Sequence, residues 1–338
     1  MGTLIAKMTD YNDRDKWLAA RPKTLGASDA AAALGLSKYK SPYALWADKT
    51  GRGEPVEVTL PMQLGHACEP VIARQYTKET GRELIDFGDY AMFIHPQYPF
   101  LTCTPDRVTE RTDLPGSPDG AVEMKRICGA VAEEMRDGDA KIEHQIQLAM
   151  QMEIMGLNYG EIAALVVGHF GTTFERFPYE RDPRSMARII PALEKFWHYV
   201  ETDTPPPVDD TQSTLDTLKA LHPDDNGETV HVAEDKAGAA QIVILDFTNI
   251  KAEIKELESE KRECESTLRN LIGANTFLEV PAAAGFPAAK VSLKSQTRKG
   301  SIRIDATDDH EILLRTEEIK FKKTGAKTFR VLRQMKVK

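Results

Sequence analysis

The sequence predicts a mixed α/β fold of the α+β kind, and three observations carry the prediction. Apolar residues recur at helical spacing through residues 61–80. From about 83 to 127 the pattern changes to short stretches rich in β-formers, with turn residues between them. A helical period returns at 139–155 and gives way to the apolar strand GEIAALVVGHF.

Each element has its own reason. YNDRDKWLAA reads as a short helix broken at Arg21-Pro22. Ser28 precedes the Ala-rich run DAAAALG, so a helix capped by Ser28 and stopped at Gly35 is expected. Ser41-Pro42 opens another, with the serine at the cap, the proline at the first helical position and Gly51 as the stop. In the third, residues 61–80, Leu64, Ala67, Val71, Ile72 and Tyr76 share a face. ELIDFGDYAMFI, FLTCTPDRVTE and GAVEMKRI are the strands, and 139–155 is a helix ended by Gly156. A helix around 185–200 leads into Thr204-Pro205-Pro206-Pro207, the clearest linker in the chain. The expected organisation is therefore a domain over 1–205, a linker over 206–240, a heptad helix over 241–275 and a small basic β-rich region over 276–338. The heptad reading rests on Val243, Phe247, Ile250, Ile254, Leu257, Cys264, Leu268 and Leu271, spaced alternately four and three apart with Lys261 in the one polar slot.

Composition bounds the class. At 41% hydrophobic and 28% charged residues, the 338-residue chain has an ordinary globular balance. No apolar run approaches the ~20 residues of a membrane span, and no secretory h-region is expected at the N-terminus. The 4 cysteines are scattered without a CxxC pair, which argues against a disulfide framework, a zinc knuckle or an iron–sulfur cluster and favours a cytoplasmic setting. The net charge of −8 hides an asymmetry: residues 290–338 hold 14 Lys and Arg against 6 Asp and Glu, so the preceding residues sum to −16.

The chemistry concentrates in CTPDRVTERTDLPGSPDGAVEMKR, which holds two Pro-Asp pairs. Asp119 lies in the turn sequence Ser-Pro-Asp-Gly, four residues before Glu123. On one extended strand the two acids would stand roughly 13 Å apart, too far to share a cation that each must reach at ~2.1 Å. Asp119 is therefore expected to be a solvated acid. Asp106 follows an apolar strand and is separated from Glu123 by enough chain for a hairpin with a long loop. A hairpin brings opposite residues within about 5 Å. Glu123 and Lys125, two apart, share one face of their strand, and Val122 and Met124 take the other. Taken alone, Glu-x-Lys is most often an exposed surface pair.

In order, these motifs carry a resemblance. Helix, three strands, helix and strand, with Asp-Xn-Glu-x-Lys on the second and third strands, resemble the PD-(D/E)xK nuclease superfamily. More narrowly, the chain resembles the YqaJ-type viral recombinase family, which includes the phage lambda exonuclease. The matching pieces are Arg21-x6-Ser28, Gly65-x3-Glu69, Thr104-Pro105-Asp106, Glu123-Met124-Lys125 and Gln145-Ile146-Gln147, spread over roughly residues 15–200. The departure is a longer stretch after Asp106.

The resemblance implies a restriction-endonuclease-like core, a central mixed sheet flanked by helices. It implies a 5′→3′ exonuclease on double-stranded DNA ends that leaves 3′ single strands for a single-strand annealing protein, in a bacterial host if phage-encoded. The cofactor would be Mg²⁺ or Mn²⁺, held by Asp106, Glu123, the Met124 carbonyl and Glu69. Lys125 would position or deprotonate the attacking water, one of Gln145 and Gln147, with Gln145 favoured, would bind the scissile phosphate or the water, and Arg21 and Ser28 would hold the terminal 5′ phosphate. Relatives form ring trimers, which implies a homo-oligomer. The alternatives are an endonuclease, a Cas4-like nuclease, against which the scattered cysteines argue, and an inactive DNA-binding module.

Overall fold

An eleven-residue strand, Pro118–Cys128, is the spine of the protein. The computed structural model describes residues 7–8, 13–53, 58–128, 139–168, 171–282, 289–298, 302–304, 321–323 and 327–335. In chain order the strands of the first unit are β1 (Lys7–Met8), β2 (Leu25–Gly26), β3 (Leu84–Ile85), β4 (Phe93–Ile94), β5 (Leu101–Cys103), β6 (Arg107–Glu110), β7 (Pro118–Cys128), β8 (Tyr159–Gly168) and β9 (Gly171–Glu180). The helices are α1 (Arg14–Ala20), α2 (Ala30–Ala33), α3 (Pro42–Lys49), α4 (Leu60–Thr80), α5 (Ile142–Met155), α6 (Pro183–Glu201) and α7 (Gln212–Leu221).

The main sheet runs β3-β6-β7-β8-β9 and is mixed. Among its described strands only β7 and β8 are parallel, joined by the crossover that contains α5. β7 has apolar residues on both faces because helices cover both. Val122 and Met124 pack with Ile72 and Tyr76 of α4 and Ala163 of β8. Ala121 and Ile127 join the cluster that holds Ile146, Leu148, Met150, Met152, Ile154 and Met155 of α5. The C-terminal part of that helix is largely buried because a second sheet, β1-β4-β5-β2, and α2 also pack on it. Gly156 ends it at φ 69°, a left-handed conformation that glycine adopts without steric cost.

Several expectations need correction. Ser28 caps no helix: a 3-10 turn, Ala27–Asp29, precedes a four-residue α2, and neither shows a side-chain cap. Ser41 does cap α3, accepting the Ala44 N–H at 3.1 Å. The stretch ELIDFGDYAMFI is not one strand but two short ones with a turn between. The sequence pattern gives no sign of β9. It is an edge strand, exposed along much of its length and interrupted by Pro178, so it lacks both an apolar run and a clean alternation. The long loop after Asp106 is largely strand, since β6 and the start of β7 pair across it and leave only residues 111–117.

The chain divides into compact units Met1–Asn226 and Gly227–Lys338. The stretch read as a linker thus contains α7, which packs on α3 and whose Ser213 Oγ accepts the Ser41 N–H at 3.0 Å. Leu218 and Leu221 of α7 lie against the main core. The second unit comprises the 39-residue α8 (Glu234–Ile272), an antiparallel sheet of β10 (Phe277–Val280), β11 (Ala289–Arg298) and β14 (Lys327–Met335), and the pair β12 (Ile302–Ile304) and β13 (Phe321–Lys323). Ile272, Val291 and Leu293 form its small core. The heptad positions Val243, Phe247, Ile250, Ile254 and Leu257 are exposed in the single chain. Among the described residues no helix is long and apolar enough to cross a membrane.

One buried ion cluster of the first unit gives a pH prediction. Glu153 of α5 faces His95 and Arg181, which hold its carboxyl down at about 2. The His95 Nε2–Oε1 distance of 3.8 Å is long for a hydrogen bond, whereas Arg181 Nε donates to Oε2 at 2.7 Å, so the Arg181 bond is the firmer. The folded pKa is depressed, so the stabilisation is present above the usual carboxylate value and is lost as pH falls toward 2. A drop of this size corresponds to ~3 kcal/mol. Glu153→Gln should destabilise by about 2–3 kcal/mol at pH 7, and urea unfolding curves of the two proteins should converge as the pH falls below 4.

Candidate active site

Asp106 and Glu123 meet because of the register of the β6–β7 hairpin. Arg107 pairs with Val122, which sets Asp106, the residue just before β6, beside Glu123 and Met124. Asp106 Oδ2 accepts the Met124 N–H at 2.7 Å. Glu123 is fully buried. Its Oε1 is bonded to Lys125 Nζ, and its Oε2 accepts from Gln151 Nε2 at 2.6 Å. The pair expected on one face of a strand is thus on the α5 side of β7, and it is not a surface pair.

Burial and neighbouring acids dominate the electrostatics of this site. Burial pushes the Asp106 carboxyl well above its ordinary value, and the Glu123 charge adds to the rise. Burial also disfavours the Lys125 ammonium, but Glu123 and Asp106 outweigh it and hold its pKa above the usual lysine value. Glu69, on α4, is raised by burial, against a lowering by His66, and feels both Asp89 and Glu123. Its Oε1 is 3.1 Å from His66 Nδ1. A cleft of about 410 Å³ opens there, lined by His66, Glu69, Asp89, Tyr90 and Arg107 among others.

Among the described residues, no three His, Cys, Asp or Glu side chains stand close enough to hold a metal ion. The donor set is nonetheless of the right chemistry for a hard cation: two carboxylates, Asp106 and Glu123, beside a backbone carbonyl, with Glu69 in electrostatic reach and the remainder left to water. A cation would also balance the charge that raises Asp106. The residues present fit such an ion.

The other expected residues fall in different places. Asp119 is not in a turn but at the start of β7, half-exposed and paired with Arg82. Gln145 donates its amide to the Ala140 carbonyl, back along the start of its own helix. Gln147 lies one turn from His144 and from Gln151, on the same side of α5. Arg21 lies 3.7 Å from Asp29, and its guanidinium sits over the Trp17 ring at 4.7 Å. Ser28 is exposed beside it in the 3-10 turn.

Three residues near the site stand in no motif of the sequence. Gln151 is the direct partner of Glu123. Burial, together with the charge of Lys125, pushes the His144 pKa down to about 4, so it is neutral at pH 7. Trp17 donates its Nε1–H to Thr104 Oγ1 at 3.1 Å and so ties α1 to the residue two before Asp106. For the first two the available signal is spacing: His144, Gln147 and Gln151 are three and four apart, so they share one side of the helix.

α5 can approach the sheet this closely because of Gly160. A Cβ there would lie 2.9 Å from Leu148 Cδ1 and 3.1 Å from both the Ala121 carbonyl oxygen and Met152 Sδ. Gly160→Ala should cost ~1–3 kcal/mol by overpacking. It should also lift Gln151 off Glu123, so activity at a temperature where the variant is fully folded should fall as well. Unfolding curves read beside turnover test this.

The fold is a mixed sheet with helices on both faces, with one acid entering beside a hairpin strand and an acid and a lysine two apart on the next. Residues 16–158 match the family model of the YqaJ-like viral recombinase domain. The uncharacterized protein YqaJ of Bacillus subtilis (strain 168) is 27% identical over 274 residues, spanning 79% of this chain and 80% of its own length. Among solved structures, the alkaline exonuclease LHK-Exo from Laribacter hongkongensis is similar over 56% of this chain and 93% of its own, with 22% identity and a TM-score of 0.45. A phage related exonuclease from Haemophilus somnus 129PT is similar over 53% and 96%, with 12% identity and a TM-score of 0.39. Residues 16–158 are thus similar to a YqaJ-like viral recombinase domain, and the likeness to the Bacillus subtilis protein extends over most of the chain.

Proposed function

We propose that the protein is a metal-dependent exonuclease that degrades one strand of duplex DNA from its 5′ end and leaves a 3′ single strand for recombination. The observation that carries this reading is the convergence of Asp106, Glu123 and Lys125 on one buried point of β7, inside a YqaJ-like viral recombinase domain. Asp106, Glu123 and the Met124 carbonyl would hold Mg²⁺ or Mn²⁺, with Glu69 assisting. When bound, the cation supplies charge stabilisation for the attacking and leaving oxygens of an in-line displacement.

The chain's own residues do the rest. Lys125, kept protonated by its two acids, is a donor to a phosphate oxygen or to the attacking water. Gln147 offers neutral hydrogen bonds from the same side of the sheet. Arg21, stacked on Trp17, presents a guanidinium suited to a terminal phosphate, with the exposed hydroxyl of Ser28 nearby. The partners would be DNA ends, a single-strand annealing protein and further copies of the chain.

The direct test is digestion of a linear duplex labelled at the 5′ or the 3′ end, with and without a 5′ phosphate, in Mg²⁺ or EDTA. Release of 5′ label alone, in Mg²⁺ alone, is expected; release of 3′ label first, or cutting of a circular duplex, would reject the polarity or the exonuclease reading. Arg21→Ala should lose most of the preference for a phosphorylated end, a charged hydrogen bond being worth roughly 1.5–3 kcal/mol. An equal loss on phosphorylated and hydroxyl ends would remove Arg21 from that role.

A further inference from the structure

We propose that Gln151 is a positioning residue that makes Glu123 a one-oxygen ligand. The proposal rests on the reading of Glu123 as a metal ligand, and it adds a residue outside the family motifs noted above. Gln151 is 1% exposed, in the middle of α5, where its neighbours along the helix are core. A buried amide costs stability unless bonded, and a core helix has no need of one. Its Nε2 donates to Glu123 Oε2 at 2.6 Å. Among the described residues its Oε1 meets no hydrogen-bond partner. That asymmetry fixes the orientation: the nitrogen must face the carboxylate, since the reverse would set two oxygens against each other.

The consequence falls on Glu123. With Oε2 tied to Gln151, only Oε1 is free to face a cation, and Oε1 is also the atom that Lys125 holds. Cation and lysine are thereby directed to the same oxygen. A cation held there would share Glu123 Oε1 with Lys125, which would keep the lysine beside the point where it acts. Without Gln151 the carboxylate is free to rotate and to take the cation with both oxygens, or to follow Lys125 away from Asp106. The close approach of α5 at Gly160 holds Gln151 within this reach.

Gln151→Met tests the idea, because methionine keeps the length and volume and removes only the donor. Mn²⁺ binding to the full-length, DNA-free protein is measured by calorimetry, beside Mg²⁺-dependent cleavage of a duplex end. Gln151→Met should bind Mn²⁺ roughly 10–100-fold more weakly, the usual loss when a partner of a ligand is removed, with the KM for DNA unchanged and kcat recovering at high metal. Unchanged Mn²⁺ affinity in a folded Gln151→Met protein would overturn the proposal. If that variant does not fold, Gln151→Asn takes its place: one methylene shorter, it keeps an amide but cannot reach Glu123, and wild-type metal binding by it would be equally fatal. Failure of the parent reading looks different, since wild-type protein would then bind no cation and cut no DNA.

Discussion

Asp106→Asn and Glu123→Gln should each abolish cleavage while leaving duplex binding intact, and Asp119→Asn should remain active. The β6–β7 register sets Asp106 beside Glu123 and Met124, and on the proposed reading both acids are ligands of one cation. Removing one ligand charge removes several kcal/mol of transition-state stabilisation, a loss of roughly 10³-fold or more in rate. The fold is spared, because an asparagine at 106 still accepts the Met124 N–H through its amide oxygen, and a glutamine at 123 keeps the shape. Asp106→Asn should even raise stability in metal-free buffer. Its carboxyl is pushed up by burial and by Glu123, so at neutral pH the charge costs free energy. For a group whose folded pKa is raised, that cost is present above the folded value and vanishes once pH falls below the unfolded one. The gain from Asp106→Asn should therefore be visible at pH 7 and absent near pH 3. Asp119 is half-exposed and pairs with Arg82, away from these groups, so its amide variant tests the choice between the two Pro-Asp pairs. A dead Asp119→Asn beside a normal Asp106→Asn would reverse the assignment.

The contrast between the two Pro-Asp pairs shows how far the sequence can be read. The spacing of Asp119 and Glu123 excludes a shared cation on strand geometry alone, and the alternation of Val122, Glu123, Met124 and Lys125 gives the two faces of β7. Both follow from local geometry with a period of two. The stretch after Asp106 reads as loop because Arg107–Glu110 is only four residues, two of them buried and two not, with charged ends. Its identity as a strand comes from pairing with β7, a tertiary fact. Ser28 misleads for a similar reason. Serine before an alanine run is a good cap, yet Asp29, turned toward Lys49 at 2.7 Å, starts the helix instead. Gln151 hides among the methionines of α5, where one buried polar residue is informative only once its partner is known. The resemblance to a known family supplied the order of the motifs, and the register supplied the reason why they meet.

Two truncations separate what the nuclease unit needs from what the rest of the chain adds. A chain ending at Asn226 should keep its fold, because the first unit closes there with its own core. A chain ending at Pro205 should not hold up as well. It loses α7, with Leu218 and Leu221 packed on the main core and Ser213 bonded to the residue that caps α3. Two partly buried leucines at ~1.5–3 kcal/mol each when fully buried, discounted for their exposure, set a loss of about 2–4 kcal/mol, which thermal unfolding would detect. Activity on a short duplex end should survive in the chain ending at Asn226, since every residue assigned to the site precedes that point. Its DNA affinity at low salt should fall. The removed part includes residues 290–338, with 14 Lys and Arg against 6 Asp and Glu. Each phosphate that the shorter chain leaves unneutralised lowers the slope of log K against log salt by about 0.9, so the two binding curves should approach each other as salt rises. If the slope is unchanged and the mass in solution drops instead, the second unit serves assembly through the exposed apolar positions of α8, and the basic residues do not touch DNA.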